Sequence, residues 1–487
     1  MKENTFFGFF ENNLAIFHET DIMSVKAVVL MKKQYRSMTE GPLLPHIISF
    51  TVPLILTSVL GLLFHAADLV VVGQYSGSLS IAAVSSTGTL SSLIVCLFSG
   101  FSTGAVVSMA HALGSKDDNA IHRVVHTAMP TAFCIGLLLT AVGLFLAEPA
   151  LRLMETPENI LPLSSLYMRI VFCGMALDMV YNFAASILRA TGDTKRPLYY
   201  LMMAGTTNVV LNLFFVAVLE LDVAGVALAT TLSKLVSTVP AVISLTRRDD
   251  ACRLCFKKMR IYKNEFLKII RIGLPASIQS SLFSFSDVLF QSSINSFGEV
   301  LISSNAAAGS IQGFVRVSMN AFSTTCVNFV GQNTGGHRYD RVKKVLLICL
   351  SCAAALGIPI SLIACGFAPQ LLSIYITDSP EALALGVMQM NMLCRLCTIS
   401  SLNSITTGAL QGLGESKTSV IISILGMVVV RLGWIYTIFQ LPQFHTPFWL
   451  FISYPISWVV TLAGQLIAFR ILFRKHVNAY NLQTLKT

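Results

Sequence analysis

The stretch "LLFHAADLVVVGQ" at residues 62–74 places a single carboxylate, Asp68, in the middle of an otherwise apolar run. Near the centre of a bilayer such a charge costs about 2.5 to 3.5 kcal/mol. It is tolerated where it is used or partnered, and the rest of the chain must decide which. Working outward, the same apolar character continues throughout. Of 487 residues, 54% are hydrophobic and 12% charged, and the mean hydropathy is +0.70. That composition excludes a water-soluble globular domain. A helix needs about 20 apolar residues to cross roughly 30 Å of hydrocarbon. Twelve stretches meet this, near 46–73, 81–110, 122–147, 161–189, 197–219, 224–246, 266–297, 301–330, 341–366, 383–411, 418–440 and 446–470. The expected fold class is an all-α polytopic membrane protein. Several stretches approach thirty residues, which predicts tilted or bent helices.

The net charge of +10 is informative through its placement. Of the 34 Lys and Arg, 28 lie in the N-terminal segment, in the loops after the second, fourth, sixth, eighth and tenth stretches, and in the C-terminal tail. The opposite loops hold only Arg152. The positive-inside rule therefore puts both termini and the basic segment 247–265 on the cytoplasmic side of a plasma (inner) membrane. These charges read as membrane-facing, and no nucleic-acid partner is expected. The first 30 residues do not resemble a signal peptide, because Glu11, His18, Glu19 and Asp21 break the apolar stretches. They read as an extension, with Met31 as an alternative start. "CRLC" occurs at 252–255 and 394–397. Neither copy has a His or a second Cys pair at zinc-ligand spacing, so no metal or redox site is expected there.

The chain repeats. At a shift of 221 residues Gly77 meets Gly298, Gly88 meets Gly309, "FST" at 101–103 meets "FST" at 322–324, and Gly114 meets Gly335. At 222, Pro53 meets Pro275 and "ATGDTK" (190–195) meets "GLGESK" (412–417). Each half holds six spans, so both halves enter the membrane from the same side. Two six-helix bundles, 41–246 and 266–474, should be related by a pseudo-twofold axis along the membrane normal and joined by the cytoplasmic linker 247–265. Residues 1–40 are the extension and 475–487 a cytoplasmic tail. Two facing bundles describe a secondary transporter better than a channel or an enzyme. "GLGESKT" lacks the glycine that a phosphate-binding loop needs before its lysine, so an ion gradient, not a nucleotide, should drive transport.

Several motifs in order resemble one family. "TEGPLLPHIISFTVPLILTSVLGLLFHAADLVVVGQYSG", "GSKDD" after the second span, "ILRATGDTKRP" after the fourth, "VGQNTGG" after the eighth and "ALQGLGESKTS" after the tenth look like multidrug and toxic compound extrusion (MATE) transporters, particularly the bacterial DinF-like branch. The resemblance covers roughly 40–475. It implies export of organic cations or other amphipathic compounds by alternating access, in exchange for inward protons or sodium ions. It further implies that Asp68 is the proton or cation site, with Asn208, Asn212 and Thr230 around it. Asn212 departs from the family, which usually has Asp there. Two adjacent carboxylates cannot both ionise cheaply. One carboxylate with amide and hydroxyl oxygens still offers hard oxygens to Na+, or a place for one proton, with less charge to compensate.

Other residues carry two readings. Read structurally, Asp68 is a carboxylate reaching the interface or pairing with His65. Pro53 is a helix-1 hinge, as the resemblance implies, or a packing kink. Asp287, and Asp178 with Asn182, are a second coupling or substrate site, or inter-helix hydrogen-bonding groups. Arg316, Arg395 and Arg431 pair with carboxylates or line an anion-accepting cavity. The last arrangement would suit a runner-up function, a flippase for lipids or lipid-linked oligosaccharides. A channel or receptor is a third reading, for which Asp68 would be dispensable. The expected protein is a monomeric, non-enzymatic antiporter of small drug-like molecules, with no cofactor beyond Na+ or H+ as coupling ion.

Overall fold

A computed structural model describes residues 37–75, 77–154, 156–376 and 379–484. The expected extension up to residue 36, with the alternative start at Met31, lies outside the described residues. Twelve helical spans follow in order: α1 (Leu43–Tyr75), α2 (Gly77–Gly114), α3 (Asp118–Leu153), α4 (Leu161–Cys173 and Met175–Ala190), α5 (Lys195–Asn212, continued by Leu213–Val218), α6 (Asp222–Thr246), α7 (Lys263–Asn295), α8 (Glu299–Gly335), α9 (Tyr339–Gly366), α10 (Pro380–Gln389, Met390–Cys394, Arg395–Gly412), α11 (Ser416–Ser423, Ile424–Val429, Val430–Tyr436) and α12 (Ser453–Thr484). The two pieces of α4 meet at 45° around Gly174. A glycine break of this kind is an ordinary cause of a kink. Helix α12 continues ten residues past the expected end of its bundle at 474.

Among the described residues, eight spans are long and apolar enough to cross a membrane by themselves, and the bent α4 makes a ninth. The other three, α2, α7 and α8, are 38, 33 and 37 residues long but rich in Ser, Thr and Gly. Their polarity has a physical reason. They form the seam between the two bundles, where backbones must approach closely and little surface meets lipid.

The repeat is visible in individual hydrogen bonds. After α4, Gly192 has φ +86° and Asp193 N–H donates to Leu188 O at 3.0 Å. After α10, Gly414 has φ +88° and Glu415 N–H donates to Leu410 O at 2.9 Å. Both glycines supply the left-handed residue that closes the helix end. At a shift of 221, Lys116 and His337 likewise share φ values of 56° and 54°.

Each bundle's first helix reaches into the other bundle's core at the end near the linker. Ile47 of α1 is fully buried among Phe329, Val330 and Val342 of α8 and α9. Ile269 of α7, 222 residues later, is fully buried in the N-terminal core. Across the seam Thr51 and Thr325 hydroxyls bond at 2.8 Å, and His111 Nε2 donates to Gly412 O at 2.7 Å. A Cβ on Gly104 would clash with the backbone of Ile269 and Gly273, and one on Gly100 with that of Ser277. Farther from the linker, glycines of these helices lack such contacts. At Gly88 and Gly309, a repeat-related pair, an added Cβ would meet nothing. The bundles are thus closed against each other at the linker face.

The linker itself is docked on the N-terminal bundle. Arg248 is buried and donates to both carboxylate oxygens of Asp250, and Cys252 and Leu254 enter the core beside it.

Candidate functional site

Asp68 lies in the last quarter of α1, on the side that packs against α5. The two helices approach closely because Gly205 leaves room for the Phe64 ring, which a Cβ there would penetrate. One turn farther along α1, Asn212 Nδ2 donates to Asp68 Oδ1 at 2.5 Å. The same nitrogen donates to Asn208 Oδ1 at 3.3 Å, and Asn208 Nδ2 donates to Thr230 Oγ1 of α6 at 3.5 Å. The i, i+4 spacing of Asn208 and Asn212 puts both amides on one helix face, and both are buried. Immediately after Asn212, α5 widens into the π-helical segment Leu213–Val218. Beyond the carboxylate, Val71 and Val72 pack with Val216, Val223 and Val226, an apolar wall between the site and the far end of the bundle.

All four residues that the resemblance singles out therefore come together in one hydrogen-bonded chain. Among the described residues no Lys, Arg or His nitrogen lies within 4 Å of the Asp68 carboxylate, so the His65 pairing is not formed. Asn212 Oδ1 is buried without a hydrogen-bond partner. An orphaned acceptor beside an uncompensated carboxylate suits a group that brings positive charge or a proton. With Asn208 Oδ1 and Thr230 Oγ1 these are hard oxygens, which fit Na+ as well as H+. Among the described residues no cluster of three His, Cys, Asp or Glu could hold a metal ion. Tyr167 of α4 packs against the cluster that holds Val71, Val72 and Val216; the sequence carries no signal for it, because the approach depends on how α4 bends.

The C-terminal bundle holds a second aspartate in the equivalent place. Asp287 on α7 accepts from Arg431 Nη1 on α11 at 3.0 Å and from Tyr454 OH on α12 at 3.4 Å, while the guanidinium lies 3.9 Å over the Tyr454 ring. Asp68 and Asn212 are separated by 144 residues, as are Asp287 and Arg431. Each pair joins the first and fifth helices of its half, 219 positions apart. One aspartate faces an amide and the other a cation. Arg431 is 6% exposed and Asp287 61%.

The remaining residues are placed as follows. Pro53 sits within an unbroken α1, where Thr57 Oγ1 donates to its carbonyl at 2.7 Å. Asp178 lies 3.9 Å from Lys234 Nζ of α6. Asn182 does not reach that carboxylate and instead donates to the Asp178 backbone carbonyl at 2.9 Å. Arg316 and Arg395 are exposed, unlike the buried, paired Arg431.

A family model described as MatE matches residues 53–214 and 275–437, one copy in each bundle. The probable multidrug resistance protein YoeA of Bacillus subtilis is 28% identical over 337 residues, covering 68% of this chain and 73% of its own length. A FAD transporter of Shewanella oneidensis is 23% identical over 356 residues, covering 72% and 78%. Among solved structures, the outward-facing conformation of a multidrug resistance MATE family transporter superposes with a TM-score of 0.83 at 21% identity, over 92% of this chain and 99% of the other. With both bundles matched in order, two membrane-spanning halves in one frame and twelve helices arranged as in these neighbours, the chain belongs to the MatE family of membrane transporters.

Proposed function

We propose that the protein is a secondary active antiporter that exports organic cations or other amphipathic small molecules in exchange for inward Na+ or H+. The observation that carries this reading is the contrast between the two repeat-related aspartates: Asp287 is neutralised by Arg431, whereas Asp68 faces an amide and has no cationic partner within 4 Å among the described residues. The relative named as a multidrug resistance protein supports the cargo class. The positive-inside orientation makes the linker face cytoplasmic, so the closed seam would leave the cleft open to the outside.

In that state a cation or proton arriving from outside neutralises Asp68 and weakens its bond from the Asn212 amide, which keeps its bond to Asn208. Release of the charge-assisted bond between α1 and α5 then weakens the site for a cationic substrate. Substrate and coupling ion oppose each other by the same factor in both directions, as linkage requires. The flippase reading needs Arg316, Arg395 and Arg431 to converge on an anion, and Arg431 is already paired.

The test is ethidium movement in proteoliposomes under an imposed sodium gradient and then a proton gradient, for wild type and Asp68→Asn. One gradient should drive transport in wild type and fail in the variant. Equal transport by both proteins, or none under either gradient, sinks the antiporter.

A further inference from the structure

A cavity of roughly 230 Å³ lies at the seam, within the C-terminal bundle but walled on one side by Gly100 and Thr103 of α2. It contains no charged residue. At its back stands Asn403 of α10, 1% exposed, with both amide atoms lacking any hydrogen-bond partner. A buried carboxamide left wholly unpaired is unfavourable, and it suits a ligand that supplies both a donor and an acceptor.

The rest of the wall says more about that ligand. Ser280, Ser323 and Ser404 each spend their hydroxyl hydrogen on a backbone carbonyl, of Ala276, Ser404 and Ser400 respectively. Toward the cavity they have lone pairs to offer and no proton. Gln279 and Gln411, both buried, add amides. The surface is thus uncharged, with acceptors at these three serines, amides that both donate and accept at Gln279 and Gln411, and an unpaired donor–acceptor pair at Asn403. An isolated charge would be poorly compensated there.

We infer that this cavity binds the uncharged, N–H-bearing polar end of the transported molecule, a primary carboxamide or lactam, while Asp68 in the other bundle answers to charge. The inference rests on the transporter reading and names part of its substrate class. Because the wall comes from both bundles, a group seated here touches the seam that must part when the protein switches.

The probes are two uncharged molecules of one shape, nicotinamide and 3-acetylpyridine, which differ in an NH2 replaced by CH3. Binding to the purified full chain in nanodiscs, read by titration calorimetry, should favour the carboxamide about tenfold, as expected for one neutral hydrogen-bonding group. Asn403→Leu should bring the two probes level, and Thr407→Val at the cavity wall, a milder change, should narrow the gap without altering the elution profile. Equal affinities in wild type, no binding of either probe, or an equal loss for both in the variants overturns the inference. A preference that persists while gradient-driven ethidium transport is absent would leave the cavity assigned and remove the antiporter instead.

Discussion

Gly114 and Gly335 face each other's helices reciprocally across the pseudo-twofold axis: a Cβ on Gly114 would run into the carbonyl of Gln332, and one on Gly335 into the carbonyl of His111. Since 332 and 335 are 111 and 114 shifted by 221, the contact is self-complementary. Gly114→Ala or Gly335→Ala should therefore push the bundles apart at the linker face, at a cost of about 1–3 kcal/mol for overpacking against backbone. Spin labels at Lys116 and Arg338 in a cysteine-free background should report a longer mean distance in either variant. An unchanged distance distribution would show that the seam is not held there.

Asp287→Asn leaves the Arg431 guanidinium buried without its counter-charge. The expected result is a loss of about 1–2 kcal/mol in thermal stability, discounted from the value for a fully buried pair because Asp287 is largely exposed. Gradient-driven transport per folded molecule should be kept. Combining the change with Arg431→Gln should restore part of the stability. If Asp287→Asn instead abolishes coupling in a stable protein, the two bundles share the ion-binding task.

Asn212→Asp adds a second carboxylate beside Asp68, at the position where the resemblance leads one to expect it. Two carboxylates that cannot both ionise cheaply take up a cation or proton more readily than one, so affinity for the coupling ion should rise about tenfold. The concentration of that ion needed for half-maximal transport should fall accordingly. No change would mean that Asn212 does not face the ion.

Asp250 closes the linker onto Arg248. Burial raises this carboxyl, but the hydrogen bonds and charge of Arg248 outweigh it and hold Asp250 below the usual carboxylate range. A depressed carboxyl stabilises the fold fully above its unfolded value near 4, and the contribution disappears as pH falls below that. The melting-temperature difference between wild type and Asp250→Asn should hence be constant above about pH 5 and shrink in stronger acid. At pH 7 the variant should also label faster at Cys252, whose thiol burial pushes up to about 12.

Much of this was legible in the chain. Hydropathy located the spans, and the 221–222 shift found the duplicated bundles, because glycines that permit backbone contact or positive φ leave few alternatives. The residues around Asp68 became legible through the family resemblance, and i, i+4 spacing put Asn208 and Asn212 on one face. Three seam helices are polar for reasons of packing, which hydropathy does not measure. The Asp287–Arg431 pair was hidden for a different reason: its register slips by two residues from the main repeat, so an alignment of identical letters passes over it. Asn403 carries no sequence signal, since an unpartnered amide is a property of its neighbours.

The two aspartates also say something about how a duplicated protein divides its labour. Once one copy's acid is neutralised by an arginine, that half becomes a strut whose charge state is fixed. The other half retains the capacity to respond. Two halves that share one frame are then no longer interchangeable, and in the proposed antiporter an ion would act on the N-terminal bundle first, with the C-terminal bundle as the stationary reference against which it moves.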